Sequence, residues 1–434
     1  MSGDKLKRIL FKGDKVIWIV FITLCAISWI EVFSATSRQT YEAGSYWAPI
    51  IKHTKFLVGG IFVVWFIHNL KAEWIDKFSK VIYWAGVAGL IWAQFSGDIN
   101  GSARWITIPG IGLTFQPMEI AKMGLVMMTA RFLARHQDNE GTSDTAGVNF
   151  VNDLYIRLLA ALKIERNEGF INDNNVAFVK IITYAVFPIL IILKENFSSA
   201  FLLAITIYLM MIVGRIPRKQ LLWTLGVGII IAGLGLTAIM MTPESAKDNG
   251  SFGSKVITWK HRIADAFNSE PVTAEEYDEG ANEQRTYSHI AIASSHIIGC
   301  GPGNSIQRDF IPHAYSDYIF AVIIEELGLL GATLVMLLYL TLLYTCGKIA
   351  KKCDDPYSAF LAMGTGMIIV TQALLHMFIS VGNFVTGQPL PLMSQGGTSF
   401  LINSVYIGFL LCISRYANAT DEKAETGPVT VTKE

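Results

Sequence analysis

The feature that most constrains this chain is a series of apolar stretches, each close to the length that crosses a bilayer. They cover residues 16–35, 54–70, 79–95, 117–134, 176–194, 197–214, 221–241, 317–345, 358–379 and 398–415. A hydrocarbon core about 30 Å thick needs roughly 20 helical residues. No water is present there to satisfy backbone N–H and C=O groups, so each stretch must be a helix. The expected fold is an all-α polytopic membrane protein with about ten transmembrane helices. The composition agrees, with 52% hydrophobic and only 16% charged residues and a mean hydropathy of +0.42. A soluble surface needs roughly 25% charged residues.

Lys and Arg set the expected orientation. Basic residues collect at the N-terminus (Lys5, Lys7, Arg8, Lys12, Lys15) and at Lys71 to Lys80. They recur at Arg131, Arg135, Arg157, Lys163 and Arg166, at Arg215 to Lys219, at Lys348, Lys351 and Lys352, and at Arg415. These clusters occupy every second connection, which puts both termini in the cytoplasm. Residues 1–419 then form a single membrane domain, with a cytoplasmic loop at 136–175, a long periplasmic loop at 242–316 and a disordered cytoplasmic tail at 420–434. Within the cytoplasmic loop, 153–164 is amphipathic and suits either the membrane surface or a linker helix. The first apolar run is too long for a signal-peptide core and is read as a retained helix. Lys+Arg and Asp+Glu both number 35, so net charge offers nothing to nucleic acid. The five cysteines (Cys25, Cys300, Cys346, Cys353, Cys412) show no zinc spacing and no disulfide framework.

Polar residues at membrane depth are costly and mark functional candidates. Three segments carry them. The first runs from Asn100-Gly101-Ser102-Ala103-Arg104-Trp105 to Gln116-Pro117-Met118-Glu119 and Lys122. Pro117 suits a first helical turn. Glu119 and Lys122 share a helix face, as a structural ion pair or as a substrate-facing one. Arg104 beside Trp105 also fits an interfacial anchor. In the second segment, Asp317 stands where the long loop meets a helix, as an N-cap or as a chemical group, with Glu325 and Glu326 about 12 Å further along the axis. Two adjacent carboxylates at that depth need partners or a polar cavity. The third segment, Gly387 to Ser399, includes Ser394, Gly396 and Gly397 and breaks an apolar region with two prolines and a glycine pair. Irregular backbone of this kind must be buried in protein or line a cavity.

These segments, in this order, resemble the SEDS family (shape, elongation, division and sporulation). Asn100 to Trp105 and Gln116 to Lys122 resemble its N-G-A-x-R-W and Q-P-S-E-x-x-K stretches. Gly303-Asn304-Ser305 resembles its G-N-S segment, Pro312 to Gly328 its aspartate motif, and Leu390 to Ser399 its L-P-x-x-S-x-G-G-S-S motif. The likeness spans about residues 12–416. The chain departs from the family pattern at Lys194 to Ala200, where Asn196 replaces an aspartate, at His376, and at Ser295-His296.

The resemblance implies a peptidoglycan glycosyltransferase that polymerises lipid II into β-1,4 glycan strands and releases undecaprenyl diphosphate. It implies Asp317 as the catalytic base. Arg104, Lys122, Glu119, Arg262 and Ser394 would serve the substrate and its pyrophosphate, with Arg262 the weakest of them and more readily read as a solvated loop charge. Trp105, Gln116, Pro117, Glu325, Glu326, Gly396 and Gly397 are the structural motif residues. No metal-ligand spacing is visible, and magnesium or manganese at the pyrophosphate is the one cofactor considered. Expected partners are lipid II, the nascent glycan strand, a class B penicillin-binding protein and other divisome membrane proteins. The expected location is the inner membrane at the division septum, with the active site facing the periplasm. A lipid II flippase or transporter, an elongation-type polymerase and a non-catalytic scaffold are the competing readings.

Overall fold

A computed structural model describes residues 12–45, 47–95, 105–107, 114–137, 176–243, 250–267, 281–311, 313–382 and 387–425. Each apolar run corresponds to one helix among these residues. In chain order the helices are α1 Lys15–Ala35, α2 Ser37–Ala43, α3 Ala48–His68, α4 Ala72–Phe95, α5 Pro117–Gln137, α6 Val176–Glu195 and α7 Phe197–Val213. They continue with α8 Arg218–Met241, α9 Gly250–Phe267, α10 Ala281–Ser294, α11 Ile319–Lys352, α12 Pro356–Val381 and α13 Gly397–Glu425. Two short strands, β1 Ile106–Thr107 and β2 Thr114–Phe115, pair antiparallel ahead of α5.

Seven of the described helices are long and apolar enough to cross a membrane. Of the remaining helices on the apolar runs, α7 is only 17 residues long, while α4 and α5 carry charged turns. Those charged turns also explain why α3 and α4 begin earlier than the apolar runs suggested: Lys52, Lys55, Asp76 and Lys77 belong to helices that run on into polar surroundings. Helix α8 is apolar all round, and Gln220 is its one buried residue. Leu222, Ile229, Ile230, Ile231 and Leu234 are all more than 60% exposed. A helix of that composition is stable only where its solvent is lipid.

The long 242–316 connection is partly helical, since it contains α9, α10 and a 3₁₀ turn at Gln307–Asp309. Helix α13 likewise continues to Glu425, into the segment whose composition suggested a disordered tail. Asn100 to Arg104, the 138–175 stretch, Pro312 and the last residues lie outside the described set.

Helices α4 and α5 approach until backbone meets backbone. A Cβ on Gly86 would lie 2.6 Å from Ala121 Cα, and one on Gly124 would lie 2.5 Å from Tyr83 Cα. Small residues permit such contact where helix association depends on packing rather than on water release.

Helix α11, on the eighth apolar run, breaks at Gly328, which adopts φ 69° and ψ −173°. This region is accessible essentially to glycine alone. The break lets the 295–308 loop dock: Leu329 N donates to His296 O at 3.3 Å, Cys300 N to Glu325 O at 3.0 Å and Gly301 N to Glu326 O at 2.8 Å. A Cβ on Gly328 would sit 2.3 Å from the Ile297 carbonyl oxygen. Gly328→Ala is therefore expected to cost about 3 kcal/mol, read as a lowered melting temperature in detergent. Gly226→Ala on α8, where nothing lies within 4 Å, should change stability by less than about 1 kcal/mol.

The two ends of the bundle differ in chemistry. At one end Arg131 pairs with Asp76 (3.2 Å), Arg415 donates to Leu70 O (2.7 Å) and Asp14 N donates to Ser414 Oγ (2.9 Å). The conspicuous polar motifs gather at the other end.

Candidate functional site

Asp317 lies in a turn just ahead of α11. The N-cap position falls on Tyr318, which makes no side-chain cap bond, so the capping reading of Asp317 is not the one adopted by the fold. The turn is wound tightly. His313 takes a left-handed φ of 58°, and its carbonyl accepts from both Ser316 N (2.9 Å) and Asp317 N (3.1 Å). Non-glycine residues held this way cluster at working sites, where surrounding structure must impose the strain.

Here the surrounding structure is the third motif. Ser394 Oγ donates to the Ser316 carbonyl (2.7 Å) and accepts from Leu390 N (2.7 Å), and Gln395 N donates to Tyr315 O (2.9 Å). Leu392, between them, also sits at positive φ (62°). The Asp317 carboxylate is half-buried. Ser316 Oγ donates to its Oδ1 at 2.9 Å, and its Oδ2 faces the Gly387 backbone, 3.6 Å from where a Cβ would stand. Gly387 therefore borders the carboxylate on that side.

Ser394 was expected at the substrate, but its hydroxyl is engaged within the protein as a strut of this turn. Ser394→Ala would strand the Ser316 carbonyl and the Leu390 amide, at a cost of about 1–3 kcal/mol in a thermal melt. Gly396 precedes α13 and Gly397 begins it, where a Cβ on Gly397 would lie 2.9 Å from the Phe56 ring.

The third motif is itself held by neighbours that the sequence did not single out. Ser28 Oγ donates to Met393 O (2.7 Å), Tyr339 donates to Pro391 O, and Gln372 Nε2 donates to Pro389 O (3.0 Å). His376, a departure from the family pattern, contacts the Gln388 carbonyl through Nδ1 at 2.7 Å, and Gln388 Nε2 donates to Ser199 Oγ. The atypical turn before α7 keeps its local role. Asn196 accepts from Ser199 N at 3.1 Å as an N-cap, and asparagine caps as well as aspartate.

Glu325 and Glu326 have the partners their depth requires. Glu325 accepts from Ile306 N (3.0 Å), Gln307 N (3.3 Å) and the Ser305 hydroxyl. Glu326 accepts from Gly303 N (2.8 Å), Ser305 N (3.2 Å), Ser34 Oγ and Arg308 Nη1 (3.4 Å). The Gly-Asn-Ser segment and the two residues after it, Gly303 to Gln307, are therefore a cradle of donors for two carboxylates. Arg308 and Ser34 were missed by sequence reasoning, although a cation four residues past Asn304 was a visible signal. Glu31 was missed too. It is fully buried on α1, with neither carboxylate oxygen hydrogen-bonded. Beside the cradle, partial desolvation and the Glu325 and Glu326 carboxylates raise the Cys300 thiol above its ordinary pKa.

Glu119 and Lys122 form a buried ion pair, 2.8 Å apart with side chains 3% and 1% exposed, in the first turns of α5. Pro117 and Gln116 lead into that helix, and Trp105 precedes β1. Strand β2 packs against α13, and α5 packs against α12, so this motif borders the same elements as the third one. Arg104 lies outside the described residues. Arg262 lies on α9, with its side chain likewise undescribed. Among the described residues no three His, Cys, Asp or Glu side chains converge to hold a metal ion.

Comparison with known proteins bears on this arrangement. The family model describing FtsW/RodA/SpoVE cell cycle proteins matches residues 14–419. A relative in Halomonas elongata, named "Probable peptidoglycan glycosyltransferase FtsW", is 27% identical over 406 residues, covering 92% of this chain and 89% of its own. A relative of the same name in Methylococcus capsulatus is 26% identical, covering 94% and 92%. Among solved structures, a chain described under structural coordination of polymerization and crosslinking by a peptidoglycan synthase complex superposes with a TM-score of 0.66. It is 17% identical, with 93% of this chain and 98% of that one covered. The rod shape determining protein RodA of Thermus thermophilus gives 0.55 at 17% identity, covering 93% and 97%. The resemblance carried by the motifs therefore holds across the fold, and the chain belongs to the FtsW/RodA/SpoVE family of cell cycle proteins.

Proposed function

We propose that this protein is a peptidoglycan glycosyltransferase of the inner membrane, which polymerises lipid II at the division septum. The observation that carries the reading is the Asp317 carboxylate, held half-buried beside Gly387 in a strained turn that Ser394 braces. The names of its relatives support the same activity. Basic residues crowd the opposite end of the bundle, and the positive-inside rule assigns that end to the cytoplasm. Asp317 then faces the periplasm, where lipid-linked disaccharides are joined.

An acceptor sugar hydroxyl is a poor nucleophile. Asp317 takes its proton as the oxygen attacks the anomeric carbon of the donor. The bond from that carbon to undecaprenyl diphosphate breaks on the opposite face, so the α-linked donor becomes a β-1,4 link. The diphosphate leaves with two electrons and requires cations. Lys122, Arg104 and Arg262 are the residues proposed for it. Magnesium or manganese, if used, would arrive with the pyrophosphate. A class B penicillin-binding protein is the proposed partner that cross-links the strands, alongside other divisome membrane proteins.

The test is purified protein with its penicillin-binding partner in detergent, supplied with lipid II while transpeptidation is blocked. Glycan strands and free undecaprenyl diphosphate are expected. Absence of polymer, together with passage of lipid II across proteoliposome bilayers, would instead identify a flippase. Fluorescent fusions at the septum rather than the sidewall are expected for a division role.

A further inference from the structure

A cavity of about 750 Å³ opens at the basic end of the bundle, remote in the fold from the Asp317 turn. It lies where α5 and α7 end, α11 ends and α12 begins. Val213, Phe360 and Met363 give it apolar walls, while His136, Arg215 and Lys351 supply its polar lining, and among the described residues no carboxylate lines it. Arg215 and Lys351 are exposed, and neither pairs with a carboxylate among the described residues.

A second observation concerns the backbone. Arg215 adopts φ 56° in the turn that closes α7, with its N–H donating to Ile212 O at 3.1 Å. Glycine is the default residue in that conformation, and a side chain there is strained. The chain nevertheless carries an arginine there, and that residue lines the cavity.

We propose that this cavity binds the phosphate headgroup of an anionic phospholipid. Guanidinium and ammonium groups meet phosphate oxygens in charge-assisted hydrogen bonds, with arginine able to engage two at once. Basic pockets between transmembrane helices on the cytoplasmic side suit such headgroups. The size falls in the range that encloses a small ligand. The apolar walls favour a lipid over a free anion: the spanning helices end here, at headgroup level, and Val213, Phe360 and Met363 offer a surface to the first methylenes of an acyl chain.

The test uses the full-length protein reconstituted in nanodiscs with equal phosphatidylglycerol and phosphatidylcholine, with lipids retained after detergent extraction counted by native mass spectrometry. Wild type is expected to retain phosphatidylglycerol roughly thirtyfold over phosphatidylcholine, the scale set by two cations near the membrane surface. Arg215→Gln/Lys351→Gln should abolish that preference, and Lys351→Arg should keep it. Gly347→Leu fills the cavity without changing charge. A Cβ there meets only Met363 Sδ, at 4.0 Å, so the fold should accept it, and retention should fall as well. Thermal melts confirm that each variant is folded. Equal retention of the two lipids by wild type, or full retention by folded Gly347→Leu, would overturn the proposal. Displacement of the lipid by millimolar inorganic phosphate would also overturn it, in favour of a small-anion site.

Discussion

Asp317→Asn is expected to lower the initial rate of glycan polymerisation by about 10²–10⁴-fold, the usual contribution of a positioned general base. The substitution is nearly isosteric. The amide oxygen can still accept from Ser316 Oγ, which bonds the carboxylate at 2.9 Å. The helix start does not depend on the carboxylate either, because the cap position belongs to Tyr318 and makes no side-chain bond. Folding should therefore survive, and a thermal melt should stay within about 1 kcal/mol of wild type, as expected for a change that leaves burial and caps intact. What the substitution removes is the negative charge and, with it, the ability to take a proton. A purified Asn variant that polymerised lipid II within a few-fold of wild type would remove Asp317 from the chemistry and leave its turn a structural element.

The second large effect concerns the buried pair on α5. Glu119→Leu alone leaves the Lys122 ammonium, 1% exposed, without its counter-charge. Breaking a buried pair in this way costs about 3–5 kcal/mol. The double variant Glu119→Leu/Lys122→Met removes both charges and should return stability to wild type or above, since apolar replacements of similar volume are often neutral or stabilising by about 1–4 kcal/mol. Stability and activity should separate in this double variant. If Lys122 meets the departing diphosphate, the rate stays low in a protein that melts normally. If the pair only braces α5 against its neighbours, the rate recovers with the melting temperature. One cycle of variants, measured by melt and by polymer assay, therefore distinguishes the two roles that the three-residue spacing left open.

The membrane architecture was legible in the sequence because the bilayer imposes a one-dimensional constraint. A segment either carries about 20 apolar residues or it does not. Each apolar run accordingly became one helix, from Lys15–Ala35 to Gly397–Glu425. The alternation of Lys and Arg likewise anticipated the gathering of Arg131, Lys351 and Arg415 at one end. Helices α9 and α10 were not legible. They lie in a polar connection with no apolar run of spanning length, although α9 is itself amphipathic.

The site was legible only as three separate motifs. Their order gave the family, but not the contacts. Tertiary structure alone decided that Ser394 braces the Asp317 turn, that Gly303 to Gln307 cradle Glu325 and Glu326, and that Gly328 breaks α11 to admit them. The physical reason is range. Hydropathy acts on each residue where it stands, whereas a hydrogen bond between Ser394 and Ser316, or between Ser34 and Glu326, depends on where packing brings distant segments together.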